Sequence, residues 1–253
     1  MIKKLSHVVY RVVVFIARCL FPNPTLEGLE NLREGACVIV GNHAQIYGPI
    51  AAQLYVPGNP LIWCAAEMMH LKEVPDYAYK DFWSIKPKAT RWFYRLLSYI
   101  IAPLSVCIFN NAHCVGVYRD MRLTSTLRVT LHSLQSGTSV VIFPEHGVAH
   151  NHIVCDFQEG FVNLGQLYAR RTGEALRFVP MYVAPELGKL AFGAPVCYRP
   201  DENAEAERRR MCEALMDAIT ALAVAQPRHR VVPYLNLSRR QHPYNKPDEV
   251  TPK

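Results

Sequence analysis

The residues best suited to chemistry sit where apolar runs stop. In "ACVIVGNHAQIYGPI", residues 36–50, the run Cys37-Val38-Ile39-Val40 ends at Gly41, Asn42 and His43. A neutral histidine placed there can take a proton from a substrate hydroxyl and make its oxygen nucleophilic. Such a base is usually oriented by a carboxylate, yet no Asp or Glu lies between His43 and Glu67. In "GVYRD" Arg119 follows a second apolar run, and its guanidinium can clamp a phosphate through paired hydrogen bonds. In "FPEHGVAHNH" Glu145, His146, His150 and His152 follow a third. Main-chain amides around Glu145-His146-Gly147 can hold the same anion, or a developing oxyanion. A fourth run, "VPMYVA", carries Pro180 inside it. Together these parts suggest transfer to a hydroxyl on a phosphorylated molecule. Singly, each has a plainer reading: a structural hydrogen-bonding histidine, or an arginine in a surface ion pair.

The elements that must position them alternate along the chain. "CVIV", "LIWCAA", "CVGVY", "SVVIF", "RFVPMYVA" and "KLAFGAPV" read as strands. Helices are predicted with Pro49 at the first position, and from Asp120 with Leu123, Leu127, Leu131 and Leu134 on one face. Further helices are predicted in "FVNLGQLYARRTG" and "ENAEAERRRMCEALMDAITALAVA". Strands alternating with helices imply one α/β domain with a mainly parallel central sheet flanked by helices, over residues 25–242. In open sheets of this kind the site lies beyond the strand ends. Residues 243–253 read as a polar, mobile tail.

The segment "MIKKLSHVVYRVVVFIARCLFP" lacks a small-residue cleavage site, and Arg11 and Arg18 interrupt its apolar run. As a helix it places Lys4, Arg11 and Arg18 on one stripe, with valines, Phe15, Ile16 and Leu20 over the rest. Residues 1–24 therefore suit an amphipathic helix and linker lying on an anionic membrane surface, against the plainer reading of a helix packed on the domain. "KPKATRWFYRLLSYIIAPLSVCIF", residues 86–109, sets basic residues beside aromatics ahead of an apolar run. It fits a second membrane-contacting element and a capped core helix equally.

The chain has 253 residues, half of them hydrophobic, with a formal net charge of +7. That charge suggests an anionic partner. The basic residues are scattered and match no nucleic-acid-binding motif, so no nucleic acid is expected. The eight cysteines are irregularly spaced, with no CxxC, which suggests a reducing, cytoplasmic setting. His146, His150, His152, Cys155 and Asp156 are zinc-ligand types. Gly147 and the preceding turn argue against the helix that would group them, and no metal or cofactor is expected.

In their order, the motifs resemble those of the lysophospholipid and glycerol-phosphate acyltransferase family over about residues 25–198. "LEGLENLREGACVIVGNH" is similar to the entry into that family's first motif, Asn-His followed by four residues and Asp. "GVYR", "VVIFPEHG", "DFQEG" and "FVPMYVA" resemble the later ones. The resemblance implies transfer of an acyl chain from acyl-CoA or acyl carrier protein to a lysolipid hydroxyl, at the cytoplasmic face of a membrane. It implies His43 as the base, and Arg119 and Glu145 with the loop around it as the seat of the polar acceptor; the residues themselves add Glu145 and His146 as further catalytic candidates. Asn42, Arg119, Phe143, Pro144, Gly147 and Pro180 would line the substrate site. No covalent acyl-enzyme is implied.

The sequence departs from the family at two places. The acidic position of the first motif is Gly48, and the third motif continues His146-Gly147-Val148-Ala149 where Gly-Thr-Arg-Ser is usual. Loss of an orienting acid costs on the order of ten-thousandfold in a serine-protease triad. Either another acid substitutes, Glu145 first and Glu67 second, or His146 shares the proton work. Otherwise the domain binds lipid without turning it over. An acyl-thioester hydrolase is a further alternative.

Overall fold

The computed structural model describes residues 2–83, 87–118 and 120–246. Arg119 and Lys86 lie outside the described residues. The elements in order are α1 (Ile2–Leu20), β1 (Thr25–Glu27), β2 (Val38–Gly41), α2 (Tyr47–Tyr55), β3 (Leu61–Ala65), α3 (Val74–Ala78), α4 (Arg91–Asn111), β4 (Cys114–Val117), α5 (Leu123–Gln135), β5 (Val140–Ile142), β6 (Glu145–Ala149), β7 (Cys155–Phe157), α6 (Asn163–Thr172), β8 (Arg177–Ala184), β9 (Lys189–Phe192), β10 (Val196–Cys197) and α7 (Ala204–Ala225).

Among the described residues the strands form a sheet in the order β1-β9-β8-β2-β5-β3-β4, with β10 paired to β8. The run β8-β2-β5-β3-β4 is parallel throughout. β6 and β7 form a separate antiparallel hairpin. The central strands read as unbroken apolar runs because both faces are covered. Val38, Val40, Phe178 and Tyr182 face one side, with Leu164 of α6 and Met211, Leu215 and Ile219 of α7. Cys37, Ile39, Val179 and Met181 face the other, with Ala52 of α2.

Several local signals explain the boundaries. The Asn203 carboxamide accepts from the Glu205 and Ala206 amides and so starts α7. Gly173, at φ 76°, closes α6 in the left-handed conformation. Pro49 is the third residue of α2, not the first. It still falls in the first turn, where a missing N–H breaks no helical bond.

α4 is a continuous helix with Pro103 inside it. It carries a small core of its own with α3, built on Val74, Ala78 and Ala102. α1 lies against α4. Asn111 Nδ2 donates to Ser6 Oγ at 2.7 Å, and Cys107 Sγ donates to the Ser6 carbonyl at 3.3 Å. The remaining faces of both helices are apolar and open: Phe15 is 68 % and Trp92 71 % exposed, with Leu5, Val12, Leu20, Leu96, Tyr99 and Ile100 beside them. The segment Lys88–Asn111 is long and apolar enough to cross a membrane, and 17 % of its most apolar window is buried. Of the two sequence readings of this segment, the core helix describes only its inner face.

The first four residues of the predicted tail depart from expectation, and residues 247–253 lie outside the described residues. Residues 243–246 are docked rather than mobile. Asn245 is fully buried and its side-chain amide donates to the carbonyls of Ala223, Gln226 and Pro227, capping the end of α7. Its Oδ1 accepts from the His229 amide at 2.9 Å. The segment between α7 and Asn245 is thereby drawn back over the sheet.

Candidate functional site

The parallel strands β2 and β5 end side by side, and their last residues open the site. Beyond β2, Asn42 extends the ladder with its side chain. Its Oδ1 accepts from the Val183 amide at 2.7 Å and its Nδ2 donates to the Val183 carbonyl at 3.3 Å. A carboxamide supplies both partners that a main-chain unit would, so Asn42 holds β2 to β8 one residue past the strand's end. It is 1 % exposed, and its contacts are with the sheet rather than with the space around His43.

His43 follows at the start of a tight turn. Ala44 and Gln45 both have positive φ, 45° and 55°, unusual for residues that are not glycine. This brings the Gln45 carbonyl back onto His43 Nδ1. A carbonyl only accepts, so Nδ1 carries the proton and Nε2 is left with its lone pair. Nε2 has no hydrogen-bond partner among the described residues. The ring meets Phe143 and Tyr234 edge-on, with centroids 5.5 and 5.6 Å away. Burial holds the imidazole below its ordinary value; the Gln45 carbonyl and the charge of Asp81 act against that.

Glu145, at the start of β6, is 4 % exposed. Its Oε2 accepts from the His43 amide at 2.5 Å and its Oε1 from the Cys155 amide at 2.9 Å. Burial pushes its carboxyl up to about 7, while the two N–H bonds favour the charged form. This corrects the expectation that Glu145 orients the imidazole. Its carboxylate fixes the main chain of His43 and ties it to β7, and it does not reach the ring nitrogen. Glu67 makes no hydrogen bond or ion pair with His43 among the described residues.

At Gly48, where the family pattern has an acid, the turn is closed around the glycine. A Cβ there would lie 2.5 Å from the His43 carbonyl, 2.9 Å from Phe143 Cε1 and 3.0 Å from the Asn42 carbonyl. Those distances leave no room for any side chain. The Gly48 amide donates to the His43 carbonyl at 3.1 Å, which closes the turn.

The other candidates fall in different places. The Pro144 carbonyl accepts from the Gln158 amide at 2.9 Å, pinning the "DFQEG" segment beside the strand end. His146 is next to the inward Glu145 on a strand, where successive side chains alternate in direction. It makes no bond to His43 among the described residues. Gly147 is open, with nothing within 4 Å of where a Cβ would be. Pro180 pairs with Val40 and shares the register of Phe178 and Tyr182, which face α7. It packs at the Gly193 backbone, whose Cβ position is 2.9 Å from Pro180 Cγ. Arg119 lies outside the described residues.

The histidines of "FPEHGVAHNH" do not converge. His150 lies 3.4 Å from Asp156 and 3.7 Å from Asp217, holding the hairpin against α7. His152 Nε2 is 3.4 Å from the Asn245 carbonyl. Among the described residues no three His, Cys, Asp or Glu side chains are grouped to hold a metal ion.

Three contributors at this site were not anticipated from the sequence: Gln45, Tyr234 and Asp81. Gln45 Nε2 donates to the Leu235 carbonyl at 3.3 Å, and Asn236 Nδ2 donates to the Asp81 carbonyl at 3.3 Å. Residues 234–236 thus form a strap that touches both the turn bearing His43 and the π-helical turn Tyr79–Trp83. Gln45 carried a signal only by lying inside the motif. Nothing in the sequence marked Tyr234 or Asp81.

No protein-family model matches this chain, and no curated protein matches it in sequence. Among solved structures it is similar to the 1-acyl-sn-glycerophosphate (LPA) acyltransferase PlsC from Thermotoga maritima. The likeness has a TM-score of 0.50 at 14 % identity and covers 89 % of this chain and 81 % of that one. At that identity the similarity establishes a shared fold: a single α/β domain with a mainly parallel sheet flanked by helices.

Proposed function

We propose that this protein is an acyltransferase that moves a fatty acyl chain from acyl-CoA or acyl carrier protein to a hydroxyl of a lysophospholipid or related acceptor. His43 is the general base. Nε2 takes the hydroxyl proton as the oxygen attacks the thioester carbonyl. The new C–O bond forms, the C–S bond breaks, and the departing thiolate takes the proton from His43. The observation that carries this reading is a histidine beyond a parallel-strand end, with Nδ1 committed to a carbonyl and Nε2 left to accept. The motif order and the shared fold support it. The loop from Phe143 to Gly147, with Arg119, is the proposed seat of the acceptor's polar head.

The open apolar faces of α1 and α4, flanked by Lys4, Arg11, Arg18, Arg91 and Arg95, support attachment to the cytoplasmic face of an anionic membrane. Both the lysolipid and its acylated product reside in such a bilayer. Gly48 supports a second reading, binding of lipid without turnover, because no carboxylate stands behind the imidazole.

Thiol release from acyl-CoA, measured with and without a lysolipid panel, separates the readings. Lysolipid-dependent release that His43→Ala abolishes is the expected result. Release that needs His43 but no lysolipid identifies a thioester hydrolase. Absence of turnover in the native protein, with lipid still bound, leaves the binding reading.

A further inference from the structure

We propose that the main-chain carbonyl of Gln45 does the work of the absent carboxylate, with Gln45 and Tyr234 as the positioning residues that hold His43 ready. This rests on the reading of His43 as a base. Three observations bear on it independently.

The first is space. The 2.5 and 3.0 Å approaches to the His43 and Asn42 carbonyls mean that the turn closes only without a side chain at position 48. The carboxylate was not simply lost from a site that still has room for it.

The second is the hydrogen bond that replaces it. The Gln45 carbonyl on Nδ1 selects the same tautomer that an orienting aspartate selects, since either acceptor requires the proton on Nδ1. A carbonyl carries no charge, so it fixes the ring while stabilising the imidazolium less than a carboxylate does.

The third is how the carbonyl is kept in place. Left-handed Ala44 and Gln45 are costly conformations for residues with a Cβ. The turn therefore needs holding from outside. The Gln45 side chain donates to the Leu235 carbonyl, and Tyr234, the preceding residue, lies edge-on to the imidazole, as Phe143 does. The strap contributes one group to each side of the His43–Gln45 contact.

The test is nitrogen NMR of the histidine-labelled full-length protein at neutral pH, with His43→Ala used to assign the signal. The native ring is expected as the Nδ1–H tautomer. Gln45→Glu keeps the size of the side chain and removes its donor, and is expected to give a mixture of tautomers. In the thiol-release assay it is expected to lose about tenfold to a hundredfold in kcat at little change in KM, by analogy with the scale seen when the outer partner of a metal-bound histidine is removed. Gln45→Lys, whose ammonium can still donate to the Leu235 carbonyl, is expected to recover most of that loss. An Nε2–H tautomer in the native protein overturns the proposal without any variant having to fold. So does a folded Gln45→Glu protein with an unchanged tautomer. Neither result bears on whether His43 is needed for acyl transfer, which the His43→Ala assay decides alone.

Discussion

The two ends of this molecule handle exposed chemistry in opposite ways. Around His43 the buried polar groups are held by named partners, the Asn42 carboxamide on Val183 and the Glu145 carboxylate on two amides, and His43 Nε2 is the group left open among the described residues. Across α1 and α4 the outward side chains are large, apolar and open, and the inter-helix hydrogen bonds run along the inner side only. The first region is over-determined from within. The second is an open apolar surface among the described residues, which the proposed reading seats on a membrane. Substitutions should therefore change activity and folding at one end, and association at the other.

The largest effect is expected at the base. His43→Ala should lower lysolipid-dependent thiol release by about a hundredfold to ten-thousandfold. An undiminished rate in that variant would move the chemistry elsewhere.

Glu145 sets the next scale. Its raised carboxyl means the native protein binds a proton more tightly than the unfolded chain does. The resulting stabilisation is fully present below about 4.5 and is lost as pH rises through about 7. The span corresponds to on the order of 3 kcal/mol. Glu145→Gln should remove that slope in equilibrium unfolding between pH 4 and 8, at the cost of one of two amide partners. Identical slopes in both proteins would show that the carboxyl is not perturbed.

Gly48→Asp restores the acid that the family pattern carries. It should fail to help. The crowding against the two main-chain carbonyls predicts a loss of about 1–3 kcal/mol and slower turnover, read from thermal unfolding and the same assay. A faster enzyme would show that the turn can open to accept the side chain.

The smallest change in folding is expected on the outer layer. Phe15→Ser with Trp92→Ser should each stay within about 0.5 kcal/mol in buffer, while co-sedimentation with anionic vesicles falls several-fold. A large drop in unfolding temperature would mean that the two helices form a core, and the contrast between the regions would collapse.

Much of the fold was legible in the sequence because burial leaves a pattern. β2, β5 and β8 are apolar without interruption since helices cover both faces, and β8 matches its predicted span, Arg177–Ala184. The glycine at 173 marked a helix end through backbone freedom, whereas Asn203, read as part of a helix from Glu202, is the cap that starts α7 two residues later. α4 was legible as a helix but not as an exposed one, because length and composition are the same for a buried span. The docked residues 243–246 were unreadable as such. Polarity suggests a mobile tail, and only the α7 end shows Asn245 its partners.

The sequence by itself determined the alternation of strands and helices, the apolar faces of α1 and α4, and the placing of His43 beyond β2. Each follows from side-chain type and spacing, which local physics reads directly. Tertiary structure alone decided what stands behind His43. The partner is a main-chain carbonyl, which every residue possesses and no sequence distinguishes. It points at Nδ1 only because Ala44 and Gln45 turn left-handed and because a strap from the far end of the chain, at Tyr234 and Leu235, lies against the turn.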